Sequence, residues 1–162
     1  MPPVPPLQHV DPETHVAVQR LRAALPGAIE GVSSHRDQVT VRIPKDQWVA
    51  AAQFLRDDPE CSFEMMLDLT AADYPPRPQR FDIIAHLYSL SKGHLLRIKT
   101  GVAEGDSVDT LTTVWKTSNW YEREVYDMFG VPFAGHPDLR RILMPENWVG
   151  YPLRKDYPLA GY

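Results

Sequence analysis

Phe81-Asp-Ile-Ile-Ala-His-Leu-Tyr-Ser-Leu90, Ser91-Lys-Gly-His94 and Leu95-Leu-Arg-Ile-Lys-Thr-Gly101 follow one another without a break, and this stretch decides the fold. Two mostly apolar runs flank a short polar segment that contains Gly93, the pattern of a β-hairpin. Strands are therefore predicted over 81–90 and 95–101. Upstream, Val39, Val41 and Ile43 alternate with Thr40 and Arg42, which makes 38–43 a half-buried strand. A weaker strand-like run covers 28–33, joined to it by a polar turn around His35 to Asp37. Pro44 stops the second run. A helix is expected over 45–57, with Trp48, Ala51, Ala52 and Leu55 on one face. Near the start, Asp11 is the candidate N-cap of another helix, with Pro12 at its first position and Val16, Leu21 and Leu25 as its stripe. Pro26-Gly27 ends it. Segment 61–74 holds Phe63, Met66, Leu67 and Leu69, all expected to be buried, but shows no clear period. Segment 106–116 reads as a short helix. The sum is an α+β fold of two layers, helices packed on one face of a mixed, largely antiparallel sheet.

The length of 162 residues suits one domain with one core. Hydrophobic residues make up 43% and charged residues 23%, and the net charge of -4 argues against a general nucleic-acid binder. Cys61 stands alone, so no internal disulfide and no Cys-x-x-Cys metal or cluster site is available, and a reducing compartment fits. No run of about 18 apolar residues is present to span a membrane, no signal-peptide pattern opens the chain, and no nucleotide-binding glycine motif occurs. There are 16 prolines. Those in residues 1–10 mark a disordered, Pro-rich arm. Pro75, Pro76 and Pro78 mark a loop. Pro132, Pro137, Pro145, Pro152 and Pro158 make 131–162 an irregular tail beyond a folded domain of 11–130.

The chain changes character at Asn119-Trp-Tyr-Glu122-Arg123-Glu124-Val-Tyr-Asp127-Met-Phe129-Gly130. Asn119 and Glu122 have the spacing of a capping box, and Gly130 is the expected residue just past a helix end. Tyr121, Val125, Met128 and Phe129 form one apolar stripe. Arg123 and Asp127 are spaced to pair along the helix. Glu124 and Asp127, one turn apart, have the chemistry of an acid/base or metal pair. A structural network around the arginine is the better reading, because no nucleophile or ligand-spaced histidine accompanies them. His136 is read as a hydrogen-bonding post.

The tail combines aromatics such as Trp148 with four cations, Arg140, Arg141, Arg154 and Lys155, beside Asp156. Ordering it costs roughly 1–2 kcal/mol per residue, more than its own contacts are expected to return. A partner surface would offset that, and aromatics and arginine are the residue types of interface hot spots. Wrapping of the tail on its own domain is the alternative.

One resemblance joins these pieces. Glu122-Arg-Glu-x-x-Asp-Met-Phe129, then His136 and Arg140-x-Ile-Leu143, resembles the signature of the 30-kilodalton subunit family of respiratory complex I. Met144-Pro-Glu-x-Trp148-x-Gly-x-Pro-Leu-Arg154-Lys155-Asp156-Tyr157 and Asp68-Leu-Thr-Ala-Ala-Asp73-Tyr-Pro75 match it too. The resemblance implies a two-layer α+β subunit of the peripheral arm of a proton-pumping NADH:quinone oxidoreductase, on the cytoplasmic face of the bacterial inner membrane. It implies docking onto the 49 kDa-like subunit that helps form the quinone site, beside iron–sulfur subunits. FMN, iron–sulfur clusters and quinone would sit in those partners, and no catalytic residue or cofactor is expected in this chain. With Tyr162 last, any longer C-terminal extension that wraps a partner is expected to be missing or short. Two alternatives stand: the equivalent subunit of a membrane-bound [NiFe] hydrogenase, and a stand-alone hydrolase using Glu124, Asp127 and His136.

Overall fold

A computed structural model describes residues 10–160 of the chain. The Pro-rich arm therefore lies outside the described residues except for Val10. Five strands form one mixed sheet in the order β1-β2-β5-β4-β3: β1 Gly31–His35, β2 Gln38–Arg42, β3 Met65–Asp73, β4 Phe81–Ser89 and β5 His94–Val102. The β4–β5 hairpin is antiparallel from Phe81 opposite Val102 to Ser89 opposite His94. Gly93 sits in its turn with φ 70°, a conformation that glycine adopts at little cost. β2 pairs with β5 in parallel, which makes the sheet mixed.

Two helices, α1 Val16–Ala24 and α2 Trp48–Asp57, bury one stripe each. Ala17, Val18 and Leu21 of the first and Trp48, Ala51, Ala52 and Leu55 of the second join Val39, Val41, Ile83, Ala85, Leu87 and Ile98 of the sheet in the core. Among the described residues no helix lies on the opposite sheet face. The third helix, α3 Ser118–Phe129, packs along the edge strand β3. There Tyr121 Oη donates to the Leu67 carbonyl at 3.0 Å, and the Phe129 ring meets Phe81 edge-on.

Four local expectations change. The first helix is split: Asp11 caps only a 3-10 turn, Pro12–Thr14, and His15 caps α1, its Nδ1 accepting from Ala17 N at 3.1 Å. The run placed at 28–33 is β1, shifted to Gly31–His35. Arg36 and Asp37 both have positive φ, so a two-residue turn sets His35 opposite Gln38 and draws the strand up to it. The segment of unclear period is β3. A bulge between Met66 and Asp68 inserts Leu67 and breaks the alternation. No helix forms over 106–116. Val108 N and Thr110 N donate to the carbonyls of Pro132 and Ala134 instead, making the two-residue strand β6 Val108–Asp109 parallel to β7 Phe133–Ala134 in the tail.

Candidate docking site

α3 begins without a side-chain cap, so the capping box is corrected: Glu122 turns inward rather than back to Asn119. Its carboxylate is fully buried and accepts from Thr110 Oγ1 at 2.6 Å, Leu111 N at 2.6 Å and Ser118 Oγ at 2.7 Å. Burial pushes its pKa up, against those three donors. His136 lies near, with Nε2 3.9 Å from the carboxylate, but that nitrogen donates to the Asn119 carbonyl at 3.0 Å, and Nδ1 accepts from Asp138 N. The expected role of His136 as a hydrogen-bonding post matches this geometry. Its two nitrogens fasten the tail to the first turn of α3.

The spacing pair Arg123 and Asp127 does not form. Arg123 is buried and donates instead to the carbonyls of Arg140 and Arg141, at 3.1 and 3.0 Å, with Trp120 under its guanidinium. Asp127, also fully buried, takes the other half of the same loop. It accepts from Ile142 N, Leu143 N and Met144 N at 3.0, 2.7 and 2.9 Å and from Arg141 Nη1 at 2.6 Å. Burial opposes the charge, but these four donors outweigh it and hold the carboxyl below the usual carboxylate range. Arg141 directs its remaining donors to the carbonyls of Trp148 and Gly150. Three successive N–H groups converging on one anion form a nest, and the nest is filled by the chain's own carboxylate.

A second anchor holds the far end. Asp73, at the end of β3, pairs with Arg80 at 2.7 Å and accepts from Lys155 N at 2.8 Å. Arg80 also reaches Asp156 and Glu104. Arg154 donates to the Phe129 carbonyl and to Glu104, with its guanidinium over Tyr151 and Phe81. Between the anchors Leu153 N donates to Met128 O. Gly130 ends α3 at φ 74°, and a Cβ there would stand 2.5 Å from the Tyr151 ring, so glycine is required twice over.

The sequence reading and this geometry overlap in part. Arg123, Asp127 and Arg141 meet around one loop, Glu122 and His136 lie side by side at the first turn of α3, and Arg154, Lys155 and Asp156 meet around Asp73. Glu124 is exposed and outside the network, so it does not join Asp127 as a pair. Arg140 is exposed and bound to Asp138, while Trp148 is 39% exposed. Arg80 and Glu104 carried no signal in the sequence, because Arg80 meets Asp73 only across the turn between β3 and β4 and the other partners of the pair lie far along the chain. The polar atoms of Asp127 are taken by Arg141 and three backbone N–H groups, and those of His136 by the Asn119 carbonyl and Asp138 N, so these two do not converge with Glu124 as the hydrolase arrangement requires. Among the described residues no group of three metal-ligating side chains occurs, and no helix is long and apolar enough to cross a membrane.

The fold and site define a two-layer α+β protein whose buried charges pin an irregular C-terminal tail to the domain. Its sequence matches, over residues 41–162, the family described as respiratory-chain NADH dehydrogenase, 30 Kd subunit, and the chain belongs to that family. The C subunit of the NADH-quinone oxidoreductase of Roseiflexus castenholzii is 48% identical, covering 87% of this chain and 82% of that one. A protein of the same name from Geotalea uraniireducens is 45% identical, over 92% and 90%. Among solved structures, a trypsin-resistant fragment of Nqo5 (1–134) superposes with a TM-score of 0.59 and 30% identity, covering 67% of this chain and 89% of the fragment. A chain of the membrane-bound sulfane sulfur reductase, an archaeal respiratory membrane complex, superposes at 0.68 with 26% identity, covering 87% and 82%.

Proposed function

We propose that the chain is a structural and assembly subunit in the peripheral arm of a proton-pumping NADH:quinone oxidoreductase, docked through its tail onto the quinone-site subunit and bordering iron–sulfur subunits. In this reading FMN, iron–sulfur clusters and quinone all belong to the partners, and the chain sits on the cytoplasmic face of the membrane through them. The observation that carries it is how the tail divides its side chains. Arg141 turns inward to Asp127, Arg154 to Glu104 and the Phe129 carbonyl, and Asp156 to Arg80, while Leu143, Val149 and Leu153 stay 61%, 71% and 53% exposed and Trp148 39%. Large apolar side chains held rigidly at a surface favour a protein partner. Arg141 serves the latch, so the free surface is better tested elsewhere. The chain carrying Trp148→Ala and Val149→Asp, tagged and purified from native membranes in mild detergent, is expected to lose the quinone-site subunit while the melting of the isolated chain is unchanged. Undiminished recovery of that subunit overturns the tail as the docking surface.

A second reading is favoured by the likeness to the archaeal respiratory membrane complex: the equivalent subunit of a membrane-bound [NiFe] hydrogenase. The same purification separates the two, since NADH:quinone activity with flavin-bearing subunits supports the first and a nickel–iron subunit the second.

A further inference from the structure

The sheet has two faces, and α1 and α2 cover only one. On the other, strand register aligns a polar row, Thr40–Arg97–His86–Asp68, across β2, β5, β4 and β3. It is a continuous relay: Arg97 Nε donates to His86 Nε2 at 2.9 Å, and His86 Nδ1 donates to Asp68 at 2.6 Å. Beside it lies a hollow of about 250 Å³. Met65, Leu67 and Leu95 on the same face are 44%, 41% and 44% exposed. Outward apolar side chains gathered round a hollow on an uncovered sheet face leave area for another surface.

The charges state what kind of surface. Arg97 and Lys99 are half-buried and two apart on β5, so they share this face, about 7 Å from each other. Like charges so placed repel. Arg42, Arg77, Arg80, Arg141 and Arg154 each meet a carboxylate. Arg97 donates to His86, Thr40 and Gln38 and to no carboxylate, and no carboxylate among the described residues reaches Lys99. The carboxylates of this face are already committed, Asp68 to His86 and Asp82 to Arg42 and Arg77. Among the described residues, then, neither of these two adjacent half-buried cations touches a carboxylate directly, and Asp68 reaches Arg97 only through His86.

We propose that this open sheet face is a second docking surface, separate from the tail, and that it takes a partner subunit presenting a carboxylate flanked by apolar side chains, the carboxylate seated between Arg97 and Lys99. Complementary charge would set the register of that contact and the apolar rim would exclude water from it. The inference rests on the reading that the chain is a subunit of a larger assembly.

The test places benzoylphenylalanine at Leu95 in the tagged full-length chain, with the exposed Gln53 of α2 as control site, and irradiates the complex purified from native membranes. A cross-link from Leu95 to a different subunit is expected, and none from Gln53. Lys99→Glu is expected to lower the cross-link yield about tenfold, with Lys99→Arg restoring it. Should Lys99→Glu fail to fold, Lys99→Met carries the same test. A complex that holds its other subunits yet gives no Leu95 cross-link, a yield indifferent to Lys99→Glu, or a cross-link to a second copy of this chain each overturns the proposal. A tagged chain recovered with no other subunit overturns the assembly reading itself, and the proposal with it.

Discussion

Asp127 gives up its hydration to hold a loop that lies 14 to 17 residues ahead of it. Four donors offset the desolvation, and none can be removed without leaving a buried group unmet. Asp127→Asn keeps the shape but turns an amide NH2 toward some of those N–H groups and leaves the Arg141 guanidinium without its counter-charge. The expected loss is about 3 kcal/mol of unfolding free energy, read by urea titration at neutral pH. A loss under about 1 kcal/mol would show that the nest is not a principal anchor. The same atoms set a pH dependence. Burial disfavours the charged forms of Asp127 and Asp73, but backbone N–H groups with Arg141, and Arg80 with Lys155 N, outweigh it, so both carboxyls are held below their ordinary value. A group depressed in the folded state stabilises above its unfolded pKa, about 4, and that contribution is lost as pH falls through the folded values. Acidification below about pH 4 should therefore release the tail, seen as new tryptophan emission from Trp148.

At the level of elements, capping decides what holds. α1 is capped by a neutral histidine, and burial followed by the proximity of His94 lowers the His15 pKa. Its stabilisation is present above the ordinary histidine value and fades as pH drops through the folded one. His15→Ser keeps a capping oxygen that does not titrate in this range, so the stability slope between pH 7 and 5 should flatten, with about 1 kcal/mol at stake. At the other end, Gly130→Ala forces a Cβ into left-handed backbone, costing roughly 1–2 kcal/mol. It also displaces the Tyr151 ring that lies over Arg154 and Arg141. Trypsin should then cut at Arg140, Arg141 and Arg154 in the variant before the domain, a difference that gel electrophoresis reads directly. What the sequence disclosed follows the same division. The β4–β5 hairpin and the stripe of α3 were legible because their signals are local, a turn glycine and a period. Segment 106–116 misled because its backbone partners lie in the tail, some 24 residues on. The box of Asn119 and Glu122 misled because Glu122 finds better donors in Thr110, Leu111 and Ser118. The two tail anchors carried no local pattern at all, only a cluster of charges whose partners are set by the fold.

For the whole molecule, tail and domain interlock and are expected to unfold as one cooperative unit. The tail supplies β7 to pair with β6, and Val131 and Phe133 to the core. It receives in turn the carboxylates of α3 and β3, so neither part keeps its polar groups satisfied without the other. Segments linked in this way open together rather than by fraying. Amides that donate to buried carboxylates should then exchange only through global unfolding, whereas those on the exposed side of the tail should exchange by local opening. Native-state hydrogen exchange at neutral pH tests this on residues a few positions apart in sequence. Leu143 N and Met144 N, bound to Asp127, should match the protection of the β4–β5 hairpin, while Val149 N exchanges orders of magnitude faster. If Leu143 and Met144 exchange as fast as Val149, the tail is a separate unit resting on the domain, and its exposed apolar face would be presented by a segment that must first be ordered by its partner.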